Sequence, residues 1–339
     1  MSKQMLERIE FGRNGLEASV AGLGCGGYSR LGAGNGLPPE NAVMIVRKAI
    51  ELGVNFIDTS PSYENEAQVG EAIAPVREQI ILSTKFSTLN KPGAAIDGAG
   101  LRRSLEASLQ RLGTDYVDVL SIQSVTLATY DHVCNEMLPV LQDMKRDGLV
   151  RNFGLTEWFY DDTTHQMSER ALADGHWDYL LLGFNLLNQS ARRKVLPLAA
   201  ETKVGVAVMF AVRRALSDKE ALRKLVAALV ARGDLSGEGI DLDDPLGFLM
   251  ADGDCASVVE AAYRYARHES MGGVILTGTG NAHHLAENVK AIGKGPLPRA
   301  HVERLETIFG ALDNLTGQEI VDDAGVIHKK HVPGKPKGH

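Results

Sequence analysis

An aspartate, a tyrosine and a lysine follow two short apolar runs of this 339-residue sequence. Asp58 comes directly after the apolar run 54–57, Tyr63 follows five residues later, and Lys85 ends the apolar run 80–84. If both runs are buried parallel strands, their carboxyl ends meet and the three side chains lie together. A neighbouring ammonium lowers the pKa of a phenol, and a carboxylate keeps that ammonium charged. The trio therefore predicts a tyrosine that exchanges a proton with a carbonyl oxygen near neutral pH.

Composition narrows the class of protein. Hydrophobic residues make up 44% of the chain, enough for a large core, and the formal net charge is −7. An acidic chain argues against a nucleic-acid partner or an anionic membrane surface. The apolar runs fall short of the roughly 18 residues that a membrane span needs. Three widely separated cysteines favour a reduced, cytoplasmic protein, and no functional metal is predicted.

The rest of the chain alternates apolar runs with amphipathic ones, which is typical of parallel βα units. We predict one α/β domain, a (β/α)8 TIM barrel over residues 1–316, with an N-terminal β-hairpin at residues 7–11 and 17–20. An extra helix is predicted at residues 299–312, and a basic C-terminal tail at residues 317–339. Further predicted bounds are strands at 117–122 and 152–155, and helices at 133–147, 162–173 and 216–232.

The active-site motifs resemble those of the aldo-keto reductases. The resemblance is carried by residues 56–63 and 83–85, and continues through residues 101–118, 148–156 and 276–289. It implies a barrel that binds a nicotinamide cofactor at the carboxyl ends of its strands. It also implies that Asp58, Tyr63 and Lys85 belong to a catalytic tetrad.

Gln123 is the main departure from the family pattern. It stands near the end of the fourth strand, where the family has a histidine that polarises the substrate carbonyl. A glutamine amide donates a hydrogen bond to an oxyanion but does not ionise. We therefore expect Gln123 to be a neutral donor in the catalytic group. The alternative is that Gln123 only fills an inherited position and has no part in catalysis.

Cofactor contacts are predicted at eleven positions. Thr156 and Glu157 replace the Ser-Asn pair that faces the nicotinamide amide in the family. Met209 or Phe210 is expected against the nicotinamide, with core packing as the alternative. His284 stands where members that prefer NADP usually have a basic residue, which predicts a slight preference for NAD over NADP. The residues are Gly26, Thr156, Glu157, Asn185, Met209, Phe210, Gly278, Thr279, Asn281, His284 and Asn288.

The predicted function is hydride transfer between NAD or NADP and a carbonyl or alcohol carbon, with Tyr63 as the acid/base. Residues 277–281 resemble members that oxidise aldoses, which favours a sugar-like small-molecule substrate. Two alternatives remain open: a cofactor-binding sensor with residual turnover, and a sugar lyase or isomerase that uses Tyr63 and Lys85. A homo-oligomer is compatible with the sequence.

Overall fold

A computed structural model describes residues 6–87 and 97–328 of the chain. Eight parallel strands, β3 to β10, form a closed barrel, and β10 pairs with β3 to complete it. This confirms the predicted (β/α)8 barrel. An antiparallel hairpin, β1–β2, precedes the barrel, and a second short hairpin, β11–β12, follows it. The strands are β1 Arg8–Phe11, β2 Leu16–Ser19, β3 Ala21–Gly24, β4 Phe56–Asp58, β5 Ile81–Ser87, β6 Val117–Val125, β7 Val150–Glu157, β8 Tyr179–Gly183, β9 Gly205–Met209, β10 Val274–Thr277, β11 Ile320–Val321 and β12 Ile327–His328.

Helices surround the barrel and cover the outward faces of its strands. Their bounds are α1 Pro39–Glu51, α2 Glu66–Ile73, α3 Gly98–Leu112, α4 Leu127–His132, α5 Leu138–Arg146, α6 Gln166–Asp174, α7 Val195–Thr202, α8 Arg214–Ser217, α9 Lys219–Arg232, α10 Phe248–Ala251, α11 Val258–Glu269, α12 Ala282–Ile292 and α13 Arg299–Phe309. Within the described residues, no helix is long and apolar enough to cross a membrane.

Side-chain alternation along the strands separates two buried layers. Phe56, Val119 and Tyr179 belong to a cluster inside the barrel, whereas Ile57 and Leu120 belong to the larger core between strands and helices. Successive side chains of a strand point to opposite faces, so residues two apart share a face. Polar residues that continue the inward series toward the carboxyl ends of the strands therefore face the barrel mouth.

The N-terminal hairpin contributes to the interior of the barrel. Phe11 at the end of β1 packs edge-on against Phe56, with ring centroids 5.2 Å apart, and lies 5.8 Å from the ring of Tyr179. All three are buried. An aromatic plug of this kind fills the interior at one end and leaves the chemistry to the carboxyl ends of the strands.

Several predicted element bounds are wrong, and each difference has a local cause. The helix predicted at 133–147 begins at Leu127 and contains a π turn, Val133–Met137, before α5. Pro139 explains the turn, because it lacks an N–H and its ring crowds the carbonyl four residues earlier. The helix predicted from residue 162 begins later, since the Asp162 carboxylate caps it by accepting from the backbone N–H groups of Gln166 and Met167.

Strand lengths matter more for the site than helix bounds. β5 continues to Ser87 and β6 to Val125, so Lys85 and Gln123 lie within strands and not after them. The predicted helix 216–232 is divided into α8 and α9 by Asp218, whose carboxylate caps the N-terminus of α9. Longer strands fix the direction of these two inward side chains more firmly than loops would.

The first part of the predicted tail packs on the barrel. Thr316, Gln318 and Glu319 are buried. Asn188 donates to the carbonyl of Leu315, and the Ala215 backbone N–H donates to the carbonyl of Gly317. Residues 315–319 therefore lie against the loops that follow β8 and β9, and the folded unit extends past residue 316. The basic run that ends the predicted tail, residues 329–339, lies outside the described residues.

Candidate active site

The polar centre of the barrel mouth is a buried ion pair between β4 and β5. Lys85 Nζ lies 2.5 Å from Asp58 Oδ2 and donates to the backbone carbonyl of Thr59 at 2.9 Å. The second carboxylate oxygen of Asp58 accepts from Ser83 Oγ at 2.8 Å. Ser83 and Lys85 are two residues apart on β5, so both face Asp58 at the end of β4. The pair therefore has fixed geometry.

Tyr63 lies beside this pair. The ammonium of Lys85 is 5.1 Å from the centroid of the Tyr63 ring. The turn Pro61–Tyr63, capped by the Ser60 side chain, brings the phenol back over the ends of the strands. The structure thus brings together the three residues whose types suggested acid/base chemistry.

Gly26 supports the tyrosine ring. A methyl group in place of its hydrogen would lie 2.5 Å from Tyr63 Cζ and 2.7 Å from both adjacent ring carbons. Such contacts are far inside van der Waals distance, so a side chain at this position would displace the ring. Gly26 was predicted as a cofactor contact, and the structure places it directly against the catalytic candidate.

Burial changes the expected acidity of the phenol. Burial raises the pKa of Tyr63, Lys85 lowers it, and Asp58 raises it, with a net shift above the ordinary value. The sequence led us to expect a lowered pKa from Lys85 alone, but desolvation outweighs that effect here. Burial lowers the pKa of Lys85, whereas the negative charge of Asp58 and the nearby Tyr63 raise it. The second effect is larger, so the pKa of Lys85 lies above its ordinary value. At neutral pH the site therefore holds a protonated phenol beside a charged lysine.

Gln123 lies on the inward face of β6, paired with Ser87 of β5. Its Oε1 accepts a hydrogen bond from Ser60 Oγ at 3.3 Å, in the turn that carries Tyr63. The strand departs from regular pairing between Ile122 and Val125, and Ser124 adopts a positive φ of 64°. Ser60 holds the amide oxygen, which orients the NH2 group as the donor end.

Thr156 and Glu157, predicted as a cofactor pair, face opposite sides of β7. Thr156 is buried, and its Oγ1 has no hydrogen-bond partner within residues 6–87 and 97–328. Thr156 belongs to the inward series, so this free hydroxyl faces the barrel interior. An unpaired buried hydroxyl at the carboxyl end of a barrel strand fits a ligand amide.

Glu157 is directed into the layer beneath α6. Its carboxylate is fully buried, contacts His165 Nδ1 at 2.9 Å, and accepts from Ser168 Oγ and from the Gly183 backbone N–H. The adjacent His165 has a positive φ of 64° and stacks on Phe159. With no exposed surface, the Glu157 carboxylate stabilises the packing of strand against helix and does not reach the barrel mouth.

Asn185, Met209 and Phe210 follow β8 and end β9. Both donors of the Asn185 amide reach carbonyls, of Phe210 at 3.2 Å and of Thr316 at 3.5 Å. Its Oδ1 accepts from two backbone N–H groups of the following turn, so no polar atom remains free for a cofactor. Met209 packs against the interior cluster of the barrel, and the Phe210 ring packs among other aromatics.

The predicted phosphate-binding stretch forms the turn between β10 and α12. Added methyl groups at Gly278 and Gly280 would clash with the backbones of Gly24 and Gly32, so close chain approach accounts for both glycines. Asn281 caps α12 by accepting from the backbone N–H groups of His283 and His284. Thr279 Oγ1 in turn accepts from the Asn281 backbone N–H.

Two further predicted contacts lie along α12. The His284 side chain is exposed, and Asn288 donates to Thr277 Oγ1 at 3.0 Å. The predicted residues of this stretch therefore lie on one side of the barrel rim, and Asn281 and Asn288 already make hydrogen bonds within the protein.

Three potential metal ligands form a separate group on α13 and the loop after α10. Asp252, Asp254 and His301 place one ligand atom each within 4.8 Å of one another. The two carboxylates are exposed, and none of the three residues lies on β4 or β5, the strands that carry the ion pair.

Sequence reasoning missed several residues that shape the site. Ser83 was detectable, because it precedes Lys85 by two residues and must share its face. Arg213, in the loop after β9, donates to Tyr160 in the loop after β7 and to Gln318 in the C-terminal segment. Only the tertiary structure brings these three together.

A closed parallel barrel with a lysine, an aspartate and a tyrosine at its carboxyl end defines the class of protein. A family model described as "Aldo/keto reductase family" matches residues 22–309, and the chain belongs to that family.

Two curated proteins are similar to this chain over different lengths. L-galactose dehydrogenase of Arabidopsis thaliana is 32% identical over 209 residues, which is 59% of this chain and 64% of that protein. The match therefore spans less than two thirds of that relative. An uncharacterised oxidoreductase of Bacillus subtilis, YqkF, is 24% identical over 89% of this chain and 96% of its own.

Solved structures support the fold. The holo form of an aldo-keto reductase from Bacillus halodurans has a TM-score of 0.66 at 23% identity, with 88% of this chain and 96% of that chain covered. An aldo-keto reductase from Klebsiella pneumoniae, solved in complex with NADPH, has a TM-score of 0.63 at 19% identity, with 89% and 95% covered. The predicted preference for NAD finds no support in these relatives.

Proposed function

We propose that the chain is a nicotinamide-dependent oxidoreductase that acts on a carbonyl or alcohol carbon of a sugar-like substrate. The observation that carries this proposal is the Asp58–Lys85 ion pair beside Tyr63, at the carboxyl end of a closed barrel. The named activity of the Arabidopsis relative, L-galactose dehydrogenase, supports a polyhydroxylated substrate.

Tyr63 is the proton donor in reduction and the proton acceptor in oxidation. Its raised pKa keeps the phenol protonated at neutral pH, as a donor to a carbonyl oxygen requires. When the phenol gives up its proton, the Lys85 ammonium stabilises the phenolate, and Asp58 keeps that ammonium in place. The amide of Gln123 donates a second, uncharged hydrogen bond to the same substrate oxygen.

The cofactor is NAD or NADP, which supplies or accepts a hydride when bound. Thr156 is the residue best placed to hold its amide, since its buried hydroxyl has no partner among the residues that the structure describes. Met209 packs against the barrel interior and offers an apolar surface for the ring. The turn of Gly278 and Thr279 before α12 offers backbone N–H groups for a phosphate.

The test is hydride transfer by the purified protein, followed at 340 nm with NAD(H) and NADP(H) and a panel of aldoses and simple aldehydes. Tyr63→Phe removes only the hydroxyl, so kcat should fall by about 10²- to 10⁴-fold while the cofactor Kd stays within about twofold. A Phe variant that retains activity within about tenfold of the parent would refute the role of Tyr63. Tight cofactor binding without turnover on any substrate would favour a sensor.

A further inference from the structure

Arg213 is a buried cation at the carboxyl-terminal rim of the barrel. Only 8% of the residue is exposed. Its Nη2 donates to the Tyr160 hydroxyl at 2.6 Å, and its Nε donates to Gln318 Oε1 at 2.9 Å. The guanidinium carbon lies 3.8 Å from the centroid of the Phe210 ring. Two neutral acceptors and an aromatic face thus fix the plane of the guanidinium.

The positive charge of Arg213 is not balanced by a neighbouring carboxylate. Among the described residues no acidic oxygen lies within ion-pair distance of its nitrogens, and its buried Nη1 has no hydrogen-bond partner. Glu319, in the same C-terminal segment, uses both oxygens to accept from Thr316 and Gly317. Buried charges in proteins are normally paired, because an isolated buried charge is strongly destabilising. The guanidinium therefore has both a free donor and an unmatched charge.

We propose that Arg213 binds an oxyanion of the substrate, a carboxylate or a phosphate, through Nη1. This inference rests on the proposed function and narrows it to sugars that carry an acidic group, such as uronates or sugar phosphates. A fixed guanidinium is well suited to such oxyanions, whose charge-assisted hydrogen bonds are the stronger ones.

The direction of the side chain favours the substrate over the cofactor as the source of the oxyanion. The predicted phosphate-binding turn follows β10, which neighbours β9 on one side. Arg213 reaches the other way, past β8, to Tyr160 in the loop after β7. A cofactor phosphate is the alternative source of the same chemistry, and the experiment separates the two.

The experiment compares galactose with galacturonate, which differ in a CH2OH and a carboxylate at C6, and adds galactose 6-phosphate. We expect the parent to prefer an acidic sugar over galactose by at least about tenfold in kcat/KM. The Arg213→Gln variant should lose that preference, because its KM for the acidic sugar rises. Arg214→Gln is the matched control, because it removes the same charge from the exposed neighbouring arginine and should keep the preference. The Kd of NAD and NADP is measured for each variant.

Tyr160→Phe is a second test of the inference, which still applies if Arg213→Gln does not fold. It keeps the charge and removes one anchor of the guanidinium, so KM for the acidic sugar should rise about threefold while KM for galactose stays constant. Equal use of galactose and galacturonate by the parent would overturn the inference and leave the proposed function intact. An increase in the cofactor Kd alone would assign the oxyanion to the cofactor and also overturn it. No turnover on any sugar or aldehyde would instead defeat the proposed function.

Discussion

The ammonium of Lys85 lies 2.5 Å from the carboxylate of Asp58, and both side chains are almost completely removed from solvent. Burial of such a pair is energetically unfavourable unless the mutual attraction of the two ions and additional hydrogen bonds offset the desolvation of each ion. Ser83 and the carbonyl of Thr59 supply those bonds. In the proposed function, a charge pair held in this way stabilises a phenolate at Tyr63 without rearrangement of the protein.

Replacement of Asp58 by Asn should destabilise the fold by about 3–5 kcal/mol, because Lys85 is left as a buried, unpaired charge. Urea denaturation of the parent and the variant measures this difference. Ser83→Ala is the control: it removes one hydrogen bond to Asp58, keeps the charge, and should cost only about 1 kcal/mol. Equal stability of the Asn variant and the parent at pH 7 would contradict our account of the pair.

The stability of the parent and that of the Asp58→Asn variant should depend differently on pH. In the parent, the pKa of Lys85 is raised above the value in the unfolded chain. Its stabilising effect is therefore complete below the unfolded pKa, near 10.4, and is lost at higher pH as Lys85 deprotonates. Without Asp58, burial lowers the Lys85 pKa, the folded state binds fewer protons, and stability rises with pH. We expect the gap between the two proteins to narrow between pH 7 and 10.

Gln123→Leu should lower kcat/KM, with a loss of about 1–3 kcal/mol in transition-state stabilisation, if the amide donates to the substrate oxygen. Gln123→His should restore the arrangement typical of the family and increase the reduction of simple aldehydes. Steady-state kinetics on one sugar and one generic aldehyde give both results. If the Leu variant matches the parent on both, position 123 has no part in catalysis.

Thr156 and Glu157 should respond differently to substitution, although they are neighbours. Thr156→Val removes an unpaired hydroxyl, so it should weaken cofactor binding by roughly fivefold with little change in stability. Glu157→Gln should leave the cofactor Kd unchanged and destabilise the fold, because it replaces a buried carboxylate that contacts His165 and accepts from Ser168 and the Gly183 backbone N–H. Fluorescence titration and thermal unfolding of both variants decide the matter; a weaker cofactor Kd in Glu157→Gln would argue against the assigned structural role.

The exposed His284 predicts that NAD binds at least as well as NADP near pH 8, since an imidazole lacks the bidentate donor geometry with which an arginine binds a 2′-phosphate. Titration of protein fluorescence with both cofactors measures this directly. His284→Arg should then improve NADP binding and leave NAD unchanged. A hundredfold preference of the parent for NADP would show that another cation reaches the phosphate, and the exposed Arg214 is the first to substitute.

The sequence by itself determined the barrel and the catalytic candidates. Alternating apolar and amphipathic runs define eight parallel βα units, and strand ends bring Asp58, Tyr63 and Lys85 to one end of any such barrel. These inferences depend on local patterns and on a general property of parallel strands. Element bounds were less well determined, because a proline within a helix or a capping aspartate moves an end by several residues.

Only the tertiary structure decided which polar residues are free to act. Thr156 and Glu157 are adjacent in sequence, yet strand alternation turns one toward the barrel interior and the other into a buried contact with His165. Burial, which the sequence leaves unspecified, reverses the expected pKa shift of Tyr63. Arg213 meets Gln318 across 105 residues of chain, so its fixed position and its unmatched charge follow from long-range packing that no local pattern encodes.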